Sequence, residues 1–241
     1  LSWASDGEPV VLATVIETWG SAPRRVGAQM AIGLNGKMQG SVSGGCIESA
    51  VVSEAQEAIE TKSIRLLEYG VSNEDAFSVG LACGGKIRVM LEPVGHTISL
   101  ETLQKLVDFR KNKVSVACVV NIITGETKLK TEGYSERFSG FEEENKIFVT
   151  IHNSPIRVVI VGAVHIAQNL VKMAKIANFD PLVVDPRSGF ANSERFKSET
   201  IIEEWPDTAL SKISIDRNTA IVLLTHDPKL DDPALKIALN S

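Results

Sequence analysis

Features that are typical of several other protein classes are scarce in this sequence. The 241 residues include three widely spaced cysteines, and no two of them form a CxxC pair. An odd number of distant cysteines does not suit a secreted disulfide framework, and without a CxxC pair neither a zinc ribbon nor a thioredoxin-type redox site has support. We therefore expect the cysteines to remain thiols in a reducing cytoplasm.

Long apolar runs and clusters of positive charge are missing as well. No run of 18 apolar residues is present, and the N-terminus lacks the three sections of a signal peptide. The net charge is −5 and the basic residues are scattered, which argues against a nucleic-acid partner. We expect a cytoplasmic protein without a membrane span. Because the chain starts at Leu1, we also expect that a short segment precedes it.

The sequence does contain enough apolar residues, 44%, for two ordinary cores. A first domain is predicted over 1–154, and its polar stretch 131–145 is expected to be an exposed loop. The apolar periodicity there predicts a strand over 9–18, a hairpin over 28–42, a helix over 47–61, strands over 64–69 and 86–91, a helix over 100–111 and a strand over 115–123.

A second domain is predicted over 155–241. Residues 156–161 are continuously apolar, as in a strand buried on both faces. A helix over 166–178 and strands over 182–185 and 219–225 are expected to follow. This alternation predicts the α/β class, with a doubly wound, Rossmann-like parallel sheet.

Ser43-Gly44-Gly45-Cys46 joins a predicted strand to a predicted helix. Its glycines allow successive amides to point into one hollow, which favours an anion. A helix start would also stabilise a Cys46 thiolate as a nucleophile and soft metal ligand. The alternative is a tight turn in which Cys46 is a small buried filler.

A second loop, Cys83-Gly84-Gly85, repeats this chemistry. Cys46 and Cys83 are therefore candidate ligands for a metal in a sulfur-rich or oxyanionic group, although they would supply two of the four ligands of structural zinc. Cys118, inside an apolar strand, is predicted to be buried and inert. Arg24, in a glycine-flanked loop, could capture a phosphate with both of its guanidinium arms, or it could be a solvated surface residue.

The second domain carries its own candidate residues. Gly162 ends a strand where a dinucleotide fingerprint would begin, His165 opens the next helix as a phosphate contact or cap, and Asp185 could accept ribose hydroxyls. Val164 stands where that fingerprint needs a second glycine, which argues against NAD(P) binding. His226 and Asp227 follow another strand, at the sheet edge where ligands bind or in a plain turn.

Four stretches in this order carry a resemblance: Thr18–Arg24, Gly40–Cys46, Gly80–Gly85 and Leu224–Asp232. In them the chain resembles the XdhC/CoxI family, accessory factors for xanthine dehydrogenase and carbon monoxide dehydrogenase type enzymes. The resemblance implies an N-terminal α+β domain bearing both cysteine loops and a Rossmann-like domain. The chain ends before further strands and a glycine-serine-arginine loop that the family carries, so the resemblance implies an incomplete C-terminal sheet.

The resemblance also implies molybdenum cofactor, as molybdopterin or its dinucleotide form, delivered to an apo-hydroxylase client. Cys46 and Cys83 would contact the metal-sulfur end, while Arg24 and the Gly44 and Gly45 amides would hold the phosphate. A cofactor sulfurase or nucleotidyltransferase is a further expected partner, and a homodimer is the commonest arrangement. The alternatives are an NAD(P)-dependent oxidoreductase and a scaffold that binds only proteins.

Overall fold

The protein divides into two compact units, Leu1–Asn153 and Ser154–Ser241. The computed structural model describes residues 1–70, 85–134, 138–197 and 200–241. Within those ranges, no helix combines the length and the apolar character that crossing a membrane requires.

The first unit contains two antiparallel sheets. Strands β1 to β5 form one sheet in the order β3-β2-β1-β5-β4, and β6 to β9 form the other in the order β7-β6-β9-β8. In chain order the elements are α1 (Ser2–Ser5), β1 (Val11–Trp19), β2 (Gln29–Ile32), β3 (Met38–Gly40), α2 (Glu48–Thr61), β4 (Arg65–Gly70), β5 (Lys86–Pro93), α3 (Leu100–Lys111), β6 (Val116–Asn121), β7 (Thr127–Lys130), β8 (Gly140–Glu142) and β9 (Ile147–His152).

The first sheet follows the sequence pattern closely. Asn35 and Gly36 have φ angles of 57° and 74°, which close the predicted hairpin between β2 and β3. Helix α2 packs its buried Val51, Ala55 and Ala58 against this sheet. These side chains recur every three or four residues, so the apolar stripe lies on a single face of the helix.

The first sheet is buried on both faces, and a β-bulge interrupts the alternation of β1. The register against β5 shifts between Val15 and Glu17, so the alternation of side chains changes there. Val15 belongs to the core under α2, whereas Ile16 joins Cys118 and Phe148 of the second sheet in another core. Cys118 is buried, as its apolar surroundings predict.

The prediction of an exposed loop over 131–145 is wrong at 140–142, because that segment forms β8 and pairs with β9. The ring of Phe141 meets the edge of Phe148, with 5.1 Å between ring centroids. Strand β8 has three residues and lies at the sheet edge, so it is too short to give a periodic signal in the sequence. The second sheet itself was not predicted, apart from β6.

The second unit confirms the predicted Rossmann-like parallel sheet. Its strands pair in the order β12-β11-β10-β13, and all three pairings are parallel. The elements are β10 (Arg157–Val161), α4 (His165–Ile176), β11 (Asp180–Val184), β12 (Thr200–Ile202), α5 (Pro206–Lys212), β13 (Thr219–Leu223) and α6 (Pro228–Leu239).

Helices cover both faces of this sheet. Val158 and Ile160 of β10 face a core that includes residues of α4, while Val159 and Val161 face another that includes residues of α5 and α6. A strand buried on both faces must be apolar at every position, which explains the continuous apolar run. Strand β12 and helices α5 and α6 had not been predicted.

Candidate functional site

The loop between β3 and α2 folds around the carboxylate of Glu48, the first residue of the helix. The amides of Ser43 and Gly45 donate to this carboxylate at 2.9 Å, and those of Val42 and Gly44 donate at 3.2 and 3.1 Å. Four successive backbone N–H groups thus converge on one anion, as a hollow of this kind favours.

Two serine hydroxyls complete the shell around this carboxylate. Ser41 Oγ donates to Glu48 at 2.7 Å, and Ser43 Oγ donates to its other oxygen. Ser43 Oγ also accepts hydrogen bonds from the amides of Cys46 and Ile47, each at 3.0 Å. Burial alone would raise the pKa of Glu48, but the hydrogen bonds from Ser43, Ser41 and the backbone outweigh burial and lower this pKa to about 2.

The anion hollow expected at Gly44 and Gly45 therefore exists, but its amides hold a carboxylate of this chain. In this conformation both amides already donate to Glu48, so a phosphate would have to displace this carboxylate before it could bind them. The sequence signal that could have shown this is the acidic residue in the first helical turn after the glycines.

Cys46 lies at the edge of this loop and is exposed, so it is not a buried filler. Helix α2 begins at Glu48, so the cysteine precedes the helix by two positions rather than standing at its first residue. Gly44 and Gly45 have φ angles of 80° and 114°, which few other residues adopt. The conformation that presents Cys46 therefore depends on both glycines.

One other predicted segment adjoins this loop, and a second adjoins that segment. A Cβ added at Gly44 would lie 3.3 Å from Cβ of Pro23, the residue before Arg24. A Cβ added at Gly85 would lie 2.5 Å from the carbonyl oxygen of Ser21, so glycine is needed for this close approach. Arg24 is exposed and directly follows Pro23 in the chain.

Cys83 and Gly84 lie outside the described residues. Within the described part of the chain, no group of three or more His, Cys, Asp or Glu side chains is arranged to hold a metal ion. Among the described residues, Cys46 therefore lacks the further ligands that a complete metal site would need.

In the second unit, Asp185 is fully buried and its carboxylate is already engaged. Arg187 donates to it through Nε at 2.9 Å and Nη2 at 2.8 Å, and the amide of Ala163 donates at 2.8 Å. Burial opposes ionisation, but these hydrogen bonds hold the pKa of Asp185 below its usual value. Sequence reasoning missed Arg187. It therefore did not show that the carboxylate of Asp185 already accepts hydrogen bonds within the protein.

The remaining predicted residues of this unit lie at the carboxyl edge of its sheet. Gly162 has a φ angle of 109°, and a Cβ there would approach Thr225 to 2.7 Å. His165 is exposed at the start of α4, where no side chain caps the helix. Asp227 caps α6 by accepting from the amide of Lys229 at 3.0 Å, while His226 has a φ angle of 57°. The alternative of a structural turn accounts for Asp227.

We predict that the intact protein binds NAD(H) with a Kd no tighter than ~1 mM. Asp185 would have to leave Arg187 before it could accept ribose hydroxyls, and Val164 places a side chain where a pyrophosphate needs bare backbone. Isothermal calorimetry with NADH measures this directly. Saturable binding at micromolar concentration would contradict the prediction and support the oxidoreductase alternative.

Comparison with known proteins agrees with both units. A model of the XdhC and CoxI family matches residues 3–70, and a model of the XdhC Rossmann domain matches 158–241. The crystal structure of a xanthine dehydrogenase from Bacillus halodurans superposes with a TM-score of 0.78 at 26% identity, covering all of this chain and 77% of that one.

Two curated relatives extend over most of the chain. One, from Bacillus subtilis (strain 168), is named as a probable xanthine dehydrogenase component and is 25% identical, covering 92% of this chain and 73% of the relative. The molybdenum cofactor insertion chaperone PaoD of Escherichia coli (strain K12) is 28% identical, covering 96% of this chain and 64% of the relative. The chain belongs to the XdhC/CoxI family.

Proposed function

We propose that this protein binds molybdenum cofactor, protects it and helps to insert it into a molybdenum hydroxylase of the xanthine or carbon monoxide dehydrogenase type. The observation that carries the proposal is the exposed thiol of Cys46 on a loop fixed by Glu48. Family membership and the chaperone named among the relatives support the choice of cargo.

The chemistry of the loop suits this cargo. A cysteine thiolate is a soft ligand of the kind that binds a metal-sulfur centre, and an exposed thiol on a fixed loop can accept and release it without unfolding. We include Cys83 as a second thiol ligand on the basis of its sequence context alone. Because the amides of Gly44 and Gly45 already donate to Glu48, we assign the phosphate end of the cargo to the exposed side chain of Arg24.

The proposal has consequences for partners and activity. The protein acts as a carrier and catalyses no turnover of its own, so its partners are the hydroxylase client and a sulfurase or nucleotidyltransferase that prepares the cofactor. It works in the cytoplasm as a homodimer, the commonest oligomer among soluble proteins. Either molybdopterin or its dinucleotide form could be the cargo.

We predict that Cys46→Ala weakens retention of molybdenum cofactor by about tenfold or more, roughly 1.4 kcal/mol, because one soft ligand is lost. Molybdenum analysis and the absorption spectrum of protein purified from a cofactor-producing host measure the occupancy. Cys118→Val, which removes a buried thiol, is the matched control and should retain the wild-type amount.

Unchanged occupancy in both Cys46→Ala and Cys83→Ala would overturn the proposed site. If both variants lose the cofactor but still capture the client hydroxylase with wild-type affinity, then carriage and client binding are separate functions. If no preparation holds cofactor while client binding persists, the scaffold alternative replaces the carrier.

A further inference from the structure

A cavity of about 390 Å³ opens at the end of the first sheet, where β1, β5 and β4 run side by side. Its volume falls in the range of small-molecule sites. Trp19 and Lys86 are cross-strand partners in its wall, as are Glu17 and Arg88, and Glu68 is the partner of Arg88 on the other side. Side chains that are directly opposite in a sheet emerge on the same face, so these groups share one surface.

The charges of this cavity are only partly satisfied by the residues that the structure describes. Arg88 donates to Glu17 at 2.7 Å, and its guanidinium lies 5.9 Å from the centre of the Phe141 ring. Glu68 and Lys86 are both exposed, and neither forms an ion pair with any residue in the ranges that the structure describes. The cavity thus offers a ligand one carboxylate and one ammonium.

Trp19 adds a flat apolar surface to these two charges. Its side chain is 67% exposed, which is unusual for a tryptophan on a strand that is otherwise largely buried. Exposed indoles of this kind stack on planar ligands at binding sites. A ligand that satisfies all three groups is a planar heterocycle with adjacent N–H donors for the carboxylate and an anionic substituent for the ammonium.

We infer that this cavity binds the pterin ring of the cargo, with Trp19 against its face, Glu68 on its aminopyrimidinone edge and Lys86 on its anionic side. This inference rests on the proposed function and names the part of the cofactor that the cavity recognises. The 2-amino group and the neighbouring ring N–H of a pterin form a pair of donors that one carboxylate can accept together.

Close backbone approaches link the strands that line the cavity to the segment next to the candidate loop. Lys86 follows Gly85, whose close approach to the carbonyl oxygens of Trp19 and Ser21 ties the cavity wall to the segment that reaches Pro23. Pro23 in turn contacts Gly44 in the loop that presents Cys46.

The probe that tests this inference is 6-carboxypterin, which carries the ring and an anion but neither metal nor dithiolene. We predict saturable binding to the full chain, followed by pterin fluorescence, and about tenfold weaker binding of 6-carboxylumazine, in which a carbonyl replaces the 2-amino group. Glu68→Gln should reduce this preference to within about threefold, because an amide cannot accept both donors. Lys86→Met should weaken both probes, and Trp19→Ala should do the same.

Glu60→Gln, an exposed carboxylate of α2 away from the cavity, is the matched control and should keep the tenfold preference. Equal binding of the two probes by the wild type, or a preference that survives in Glu68→Gln, would overturn the inference. If the pterin-binding test fails but cofactor retention still depends on Cys46, the proposed function is unaffected. Selective pterin binding without any cofactor retention would instead keep the cavity assignment and remove the carrier role.

Discussion

Glu92→Gln is expected to stabilise the first unit by about 3 kcal/mol at pH 7. Glu92 lies on β5, is 2% exposed, and its Oε1 has no hydrogen-bond partner among the described residues. Burial raises its pKa from 4.5 to about 8, so folding at pH 7 requires a carboxylate to take up a proton. A glutamine of the same shape stays neutral in both states and avoids that cost.

The pH dependence of the free energy of unfolding shows why Glu92→Gln should be stabilising. An acid whose pKa is raised in the folded state costs nothing below its unfolded pKa, and its cost grows as the pH rises from 4.5 towards 8. The advantage of Glu92→Gln should therefore be close to zero at pH 4 and about 5 kcal/mol at pH 9. Hydrogen exchange of the β5 and β6 amides in increasing urea measures the free energy of unfolding of this unit.

Glu60→Gln serves as the control, because its side chain is exposed in the folded protein and should leave the pH dependence unchanged. A variant at Glu92 that keeps the wild-type slope between pH 5 and pH 8 would show that this carboxyl is not neutral in the fold. The thiol of Cys118 is sensitive to the charge of Glu92, because burial raises the pKa of this thiol and Glu92 raises it further. An ionised Glu92 would therefore suppress the reactivity of this thiol still more.

Periodic segments of the fold could be predicted from sequence, and short edge elements could not. Helices α2 and α3 and strand β10 each carry an apolar repeat long enough to identify them. Strands β8 and β12 have three residues each and are stabilised by pairing with a neighbouring strand. Their existence depends on tertiary contacts, which periodicity does not report.

The candidate site shows a similar division between residue types and their partners. The glycine loop, the exposed Cys46 and the neighbouring Pro23 segment follow from sequence motifs, because positive φ angles and close approaches require glycine. The partners that occupy the two expected sites, Glu48 in the hollow of amides and Arg187 on the carboxylate of Asp185, could not be assigned in this way. Packing decides which donor pairs with which acceptor. Both carboxylates accept hydrogen bonds from groups of this chain.

The interior position of Glu48 makes it an organising residue for the loop that carries Cys46. Its carboxylate accepts from four amides and two hydroxyls, so removing its charge leaves several donors with a weaker acceptor. Some of these donors are buried, and an unsatisfied buried donor costs about 1–3 kcal/mol. The loop should then lose the fixed conformation that the proposed carrier role needs.

Glu48→Gln is accordingly expected to destabilise the first unit by about 3 kcal/mol at pH 7. The pKa of Glu48 is lowered from 4.5 to about 2, so its contribution is complete above pH 4.5 and is lost as the pH falls through 2. The difference between wild type and variant should shrink to about 1 kcal/mol at pH 3, as measured by hydrogen exchange of the α2 amides in urea. Glu60→Gln on the same helix should leave both values unchanged. A constant difference between pH 7 and pH 3 would mean that the carboxylate charge is not what holds this loop, and that the glutamine acts through its shape alone.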